Sequence, residues 1–490
     1  MKRIFIILTT LILSITTGWS QTPSDALRYS YLNMQGTARG TAVGGAMGAL
    51  GGDFTSLSIN PAGVAGYWKS EVMFTPSYLG VNNSSTLNGG PASDESTNSI
   101  NFSNLGIVFA NQTRRGSWKS VALGLGMNKM NNFEQQFFFA GETAGTIVDR
   151  FAGRAAGLSP NELDNFEAGL AYDVLALYNP DNDFNYETDF DRAGDNAFTK
   201  RQIVKNTGYQ NEMVISFGGN YKDKLLIGGT LGIPFISYSS EKQYFEIDEA
   251  DVISAFNELN YNENLTIEGA GINLKVGAIA KINKSLRVGG AFHSPTFLTL
   301  TDRFTTDLSY DFTDAEGNRA ETSSSPDGEF EYGLTTPWRA VASGAYIFGK
   351  RGFITADVEY SDYGSAKFNL TRNSDAIEDR EYQDELNREI SETYKGAINI
   401  RLGGELALEG FRFRGGVQLL GSPFIDDNSF QTVYSLGAGI RGNKAFLDLA
   451  YQINNQEQGY FPYQVEGAPQ QDVINQVNRG QIIMTIGFKI

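Results

Sequence analysis

The chain has 490 residues, no Cys, one His and a formal net charge of −17. The lack of Cys excludes disulfides, thiolate zinc sites, cysteine nucleophiles and a lipid-modified N-terminal Cys, and the acidic balance argues against nucleic acid or an anionic membrane surface as a partner. Met1-Lys2-Arg3, the apolar run from Ile4 to Ile15 and Gly18-Trp19-Ser20 read as a signal peptide over 1–20, cleaved before Gln21. No later run has the length and apolarity of a membrane helix. With 12% aromatic residues, a secreted chain of this kind is a soluble β protein or a membrane barrel.

The next stretch, from Gly36 to Trp68, is too rich in Gly and Ala for an ordinary amphipathic element. Small residues let chain segments approach closely. Asn60-Pro61-Ala62-Gly63 adds an extended residue before proline and a turn after it. The stretch reads as a compact segment pressed inside something larger, or as a flexible linker. Arg39-Gly40-Thr41-Ala42, Gly44-Gly45-Ala46, Gly51-Gly52-Asp53 and above all Asn60-Pro61-Ala62-Gly63 resemble the N-terminal hatch of the FadL (OMPP1/FadL/TodX) family of outer-membrane transport proteins. The resemblance implies an all-β, transmembrane antiparallel barrel of about fourteen strands that passes hydrophobic molecules, with the hatch in its lumen. It divides the chain into a hatch over 21–68 and a barrel over 69–490.

Further along, strands are expected near 69–81, 99–111, 118–139, 209–221, 224–239, 265–282, 285–300, 328–348, 351–361, 390–408, 411–421, 431–442, 444–454 and 480–490. Arg114-Arg115-Gly116, Lys222-Asp223, Asn283-Lys284, Gly349-Lys350, Glu409-Gly410 and Gly442-Asn443 are tight turns. They alternate with inserts around 82–98, 140–208, 240–264, 301–327, 362–389, 422–430 and 455–479. Short turns on one side and long external loops on the other are the pattern of an outer-membrane barrel. Parity supports this. Ile482, Met484, Ile486 and Phe488 share one strand face, while Gln481, Thr485 and Lys489 share the other. Arg287 to Pro295, Thr336-Pro337-Trp338, Asp357 to Tyr360, Arg401 to Glu405 and Arg412 to Gly416 extend the family resemblance more weakly.

Two external loops, 140–208 and 240–264, are expected to be partly helical. Ser159-Pro160-Asn161-Glu162 is a capping box, followed by Leu163, Phe166, Leu170, Val174 and Leu177 on one face. The segment 250–259 repeats the pattern with Val252, Ile253, Phe256 and Leu259. These helices either pack on each other or form an apolar groove that captures a lipid-like ligand through Phe166, Leu170, Val174 and Phe256.

Inside the barrel, Arg339, Arg401, Arg412 and Arg414 fall on lumen-facing positions with Asp357, Glu359, Glu405, Arg441 and Asp448. They form a structural ion-pair lattice, or Arg339, Arg401, Arg412 and Arg414 offer bidentate donors to a ligand carboxylate. Asn60, Pro61, Ala62 and Gly63 are the expected hatch and gating residues; Asn60 bonds to backbone groups freed by the Pro61 turn. No catalytic constellation, metal site or cofactor is expected. Gly437-Ala438-Gly439-Ile440-Arg441-Gly442 joins a hairpin and opens no helix, and Asp181, Asp183 and Asn185 lack the Gly of a calcium loop. The expected function is passive uptake of hydrophobic small molecules across the outer membrane of a Gram-negative bacterium, with membrane lipid and a hydrophobic ligand as partners. The alternative is a non-transporting scaffold, a shuttle for secreted proteins or an accessory subunit of an outer-membrane assembly.

Overall fold

In hydrocarbon every backbone N–H and C=O needs an internal partner, so a sheet that crosses a bilayer must close on itself. The computed structural model describes residues 21–113, 116–181, 183–191, 196–370, 377–465 and 470–490. The expected signal peptide, its cleavage point and the Arg114-Arg115 turn lie outside the described residues. The wall runs β1 (Glu71–Leu87), β2 (Ala92–Gln112), β3 (Trp118–Asn132 and Gln135–Thr143), β4 (Phe198–Tyr221), β5 (Leu225–Ile247), β6 (Phe256–Lys281) and β7 (Leu286–His293 and Phe297–Asp314). It continues through β8 (Gly317–Ser324, Gly328–Thr335 and Arg339–Ile347), β9 (Gly352–Asp362 and Lys367–Asn369), β10 (Gly396–Leu408) and β11 (Phe411–Gly421). Strands β12 (Phe430–Arg441), β13 (Ala445–Tyr460) and β14 (Val473–Lys489) complete it. Each strand pairs antiparallel with the next, and β14 returns to β1, from Glu71 opposite Lys489 to Leu87 opposite Val473. The barrel therefore closes with fourteen wall strands.

Three of the breaks inside wall strands contain prolines. Pro295 interrupts β7, and Pro326 and Pro337 interrupt β8, where the missing N–H cannot continue the ladder. Pro76 sits at a register shift between β1 and β2. The seam between β2 and β3 is shorter than either strand. It ends at Asn104 opposite Asn128. Above that point 92–103 pairs with β1 and 129–143 with β4, among the described residues.

The outer surface is apolar. Along β13, Leu447, Leu449, Tyr451 and Ile453 are exposed while Asp448, Ala450 and Gln452 are buried. On β14, Ile482, Ile486 and Phe488 are exposed beside buried Gln481 and Thr485. Aromatic side chains cluster on the wall: Trp118 meets Tyr221 edge-on at 5.4 Å, and Trp338 lies between Phe292 and Tyr360 at 6.0 and 5.6 Å. A closed sheet with this exterior belongs in a bilayer.

Loop lengths depart from expectation. The stretches 82–98 and 301–327 are mostly strand: β1 and β2 meet across an Asn88-Gly89 turn in which both residues have positive φ, and β7 and β8 meet at residues 315–316. These strands continue past the apolar belt, where neither face needs to be hydrophobic, so alternation fades although backbone pairing continues. The long connections that remain are 144–197, 370–395 and 461–472.

The expected helices are also corrected. The helix at 250–259 is absent. Residues 248–255 form a turn with positive φ at Asp251 and Ala255, and Phe256 opens β6 instead. Ladder bonds to β5 and β7 there outweigh a helical spacing of apolar residues. The capping-box contacts at Ser159 exist, from its N–H and Oγ to Glu162 Oε2 at 3.0 and 2.7 Å, yet they close only a turn. Asp164 is the effective cap: its carboxylate accepts from the N–H groups of Phe166, Glu167 and Ala168, and the helix there runs Ala168–Asp173. A second short helix, Val148–Ala155, was not foreseen.

A lysine at position 436 tests the orientation of the wall, since Leu436 faces outward in the middle of β12. Leu436→Lys should cost about 2–4 kcal/mol of stability in a bilayer. Denaturant titration of barrels folded into phospholipid vesicles measures it, and a negligible cost would place this face outside the hydrocarbon.

Candidate functional site: the plugged lumen

The segment 21–68 fills the barrel. It starts with helix α1 (Pro23–Ser30), whose Thr22 N–H and hydroxyl both bond to Asp25 Oδ2 at 2.8 Å. It continues through α2 (Ala38–Ala42) and α3 (Ser56–Ile59) into a 3-10 turn over Pro61–Gly66. Most of its residues are buried. Bonds tie it to the wall on several sides. The Ala38 N–H donates to Thr485 Oγ1 at 2.7 Å and the Gly48 N–H to Asp357 Oδ2 at 2.9 Å. Thr230 Oγ1 donates to the Leu57 carbonyl at 2.9 Å, Arg287 to the Leu50 carbonyl at 2.6 Å, and His293 Nε2 to the Ile59 carbonyl at 2.8 Å.

Asn60 is the tightest of these joints. Proline after it holds its backbone extended, at φ −138° and ψ 101°. Its Nδ2 donates to the Gly48 carbonyl within the hatch at 2.7 Å and to the Ala278 carbonyl of β6 at 3.2 Å. Its Oδ1 accepts from the Ala62 N–H at 3.2 Å, and its own carbonyl accepts from the Gly63 N–H at 2.9 Å. One fully buried amide thus joins the hatch turn, a second turn of the hatch at Gly48 and the wall. The wall accommodates it with glycine: a Cβ on Gly277 would overlap Asn60 Oδ1, and one on Gly289 would crowd the Gly48 carbonyl.

The four lumen arginines form two groups rather than one. Arg401 reaches both oxygens of Glu359 at 3.1 and 3.2 Å, and Arg339 lies 3.5 Å from the same carboxylate while bonding to the Ser30 carbonyl. Arg414 bridges Glu405 and Asp448 at 2.7 and 2.6 Å; Arg441 completes that lattice at 3.0 Å from Asp448. Arg412 is peripheral, 3.8 Å from Glu405 and bonded to the Glu409 and Phe411 carbonyls. The arginines are therefore engaged by carboxylates. Hatch residue Arg39 enters the second group, 3.7 Å from Glu405 and 3.8 Å from Asp53.

Sequence reading missed the buried pair of Lys275 and Glu212, to which Ser58 also donates at 3.1 Å. Alternation along β6 puts Asn273 and Lys275 on the buried face, a signal present in the sequence. Lys275, Glu212, His293, Arg339 and Glu359 border a lumen cavity of about 50 Å³ that Tyr29, Met34 and Met130 complete.

The external loops pack into a hood. Leu170, Val174 and Phe256 come together with Phe151, Tyr261 and Tyr310 in a buried core that also takes Tyr463 from the 461–472 connection. Phe166 packs against Phe304 with the rings tilted at 48° and centroids 4.7 Å apart. The expected capture residues thus fill a packed core in place of an open groove. A second core joins hatch and loop: Ala26 and Tyr29 of α1 pack with Leu386 and Ile390 of the helix Ile377–Thr393, whose Tyr382 hydroxyl donates to the Gln21 carbonyl at 2.9 Å.

Removing the charge of Glu359 would leave Arg339 and Arg401 without their shared carboxylate. Glu359→Gln should lower stability by about 3–5 kcal/mol, read from denaturant midpoints of the folded barrel. Glu241→Gln, which breaks an exposed pair with Lys205, should cost about 0–1 kcal/mol. Equal effects would mean that the lumen lattice is as hydrated as the surface.

No protein-family model and no curated protein matches the sequence. Solved structures are similar in fold. A Pseudomonas aeruginosa FadL homologue aligns at a TM-score of 0.56 and 11% identity, over 94% of this chain and 99% of that one. A deltaS2 mutant of the TodX monoaromatic hydrocarbon channel aligns at 0.52 and 12%, over 93% and 98%. Its deltaS2S3 mutant aligns at 0.50 and 10%, over 94% and 100%. The chain therefore has the FadL-type fold, a closed fourteen-stranded barrel with its N-terminal segment in the lumen.

Proposed function

We propose that the protein is an outer-membrane channel for passive uptake of hydrophobic small molecules, fatty-acid or lipid-like in class, with movement of the 21–68 hatch opening the path. The observation that carries this reading is the interrupted seam. The β2–β3 ladder ends at Asn104 and Asn128 while the lumen below is filled by a segment held through discrete side-chain bonds. A polar lumen lined by ion pairs is a poor conduit for an apolar solute along its whole length. Parting of the strands above Asn104 and Asn128, where Gln136 bonds to Glu95 across the seam at 3.2 Å, would shorten the polar part of the route. The similar structures include proteins described as monoaromatic hydrocarbon channels, which agrees with an apolar cargo.

One observation favours the scaffold alternative. The lumen cavity of about 50 Å³ is far smaller than the roughly 300–1,000 Å³ of ordinary ligand pockets, so cargo cannot lodge there while the hatch stays in place. The two readings differ in whether the hatch moves.

Asn60→Ala removes the joint from the hatch side at a local cost of about 1–3 kcal/mol. Gly277→Ala displaces the same amide from the wall side. Both barrels should still fold, since the strand ladder does not use Asn60. Uptake of a hydrophobic probe, leakage of small polar solutes, or protease access to the hatch should change in both. If all three stay at the wild-type level, gating by this turn is wrong. A stoichiometric protein partner after gentle purification from the native membrane would then identify a scaffold.

A further inference from the structure

A second lumen pocket lies away from the paired arginines, between hatch residues 33–35 and the wall formed by β13, β14 and β1. It measures about 20 Å³, and its polar lining is Asn33, Gln35, Asn132, Gln452, Asn454, Arg479 and Gln481. No carboxylate lines it. Arg479 donates to the Asn132 carbonyl at 3.2 Å and to Gln135 Oε1 at 3.4 Å, both neutral acceptors. Among the described residues no carboxylate lies within 4.0 Å of its guanidinium. Arg339, Arg401 and Arg414, by contrast, each reach a carboxylate.

Asn132 supplies the second observation. Its Oδ1 accepts from the Glu134 N–H at 2.8 Å, which fixes the amide with Nδ2 on the other side. That Nδ2 is buried and has no acceptor. A buried donor without an acceptor is costly. The half-buried Arg479 beside it has its nearest charge partner, Glu134, beyond ion-pair distance, so one anion answers both. The side chains of Asn33, Gln452 and Asn454 make no hydrogen bond to the described chain, so their NH2 groups are free to turn inward. Gln481 is held by its bond from Nε2 to Gln35 Oε1 at 2.8 Å, which ties the hatch to this wall.

We propose that this pocket is a site for a small monovalent anion of halide size, held by Arg479 and Asn132. The small volume suits a compact species, and a lining with one guanidinium and no carboxylate disfavours a cation. The anion neutralises Arg479 and fastens the 33–35 segment of the hatch against β14. This site is independent of what the barrel transports.

The test uses the full-length protein purified in gluconate, without halide. Crystals soaked in sodium bromide should show an anomalous peak within hydrogen-bond distance of Arg479 and Asn132 Nδ2. In solution, bromide or chloride replacing gluconate at constant ionic strength should raise the thermal midpoint saturably. Arg479→Gln should lose both effects. Asn132→Asp supplies an internal carboxylate to Arg479, so it should stay stable without halide, respond to none and show no bromide peak. Because that variant keeps its counter-charge, it serves even if Arg479→Gln fails to fold. Bromide absent from the site, a water in its place under bromide, or a halide response retained in folded Asn132→Asp would each overturn the assignment.

Discussion

Closure of the hydrogen-bond ladder is the constraint on which this molecule depends. In a bilayer an unpaired backbone group has no water to turn to, so β14 must meet β1, and the register from Glu71–Lys489 to Leu87–Val473 delivers that. Once the cylinder closes, side-chain alternation assigns every second residue to lipid and the rest to the lumen. The lumen face of a barrel this wide cannot be filled by wall side chains alone. Polar residues there need partners, and the N-terminal segment provides many of them.

The hatch is held by apolar packing, with Phe54, Leu57 and Val64 against Val108 and Phe446 and with Val43, Met47 and Ile59 against Val341 and Phe353, and by polar bonds. Asp357, Thr485, His293, Arg287 and Thr230 each bond a backbone group of the segment. Such bonds are strong where water is excluded and exchangeable where it is not, because each hatch group lost to the wall can be replaced by solvent. Displacing the segment leaves the strand ladder intact but exposes the apolar side chains it shares with the wall. The hood resists that movement from the other end: α1 shares a buried core with the helix Ile377–Thr393, so displacing the top of the hatch also exposes Leu386 and Ile390. Hood and hatch are one mechanical unit at the outer end, while Asn60 secures the turn toward the other.

The corrections share one physical origin. Period and composition report which face of a segment touches lipid or core, and both fail where neither face does. Residues 92–99 of β2 are nearly all polar, yet they pair with β1 as regularly as the membrane portion does. At 250–259 the apolar spacing was helical, but Phe256 and Leu259 reach the hood core from a strand. At Ser159 the local capping signal is real, and a competing carboxylate five residues later determines where the helix begins.

By itself the sequence determined the parts that follow from local chemistry. These were the strand faces of β10 to β14, the tight turns such as Lys222-Asp223, the hatch with its Asn60-Pro61 joint, and the inward placement of Arg401 and Glu359. Each depends on alternation, on backbone restriction by Pro, or on Gly and Ala composition, all legible in a single chain. Tertiary structure decided what requires knowing who faces whom. The division of the arginines between Glu359 and Glu405, the pairing of Lys275 with Glu212 and the isolation of Arg479 each join residues far apart in sequence. So do the end of the β2–β3 seam and the packing of α1 under an external helix. The energy of a buried charge is set by its neighbours across the lumen, and no local pattern encodes those neighbours.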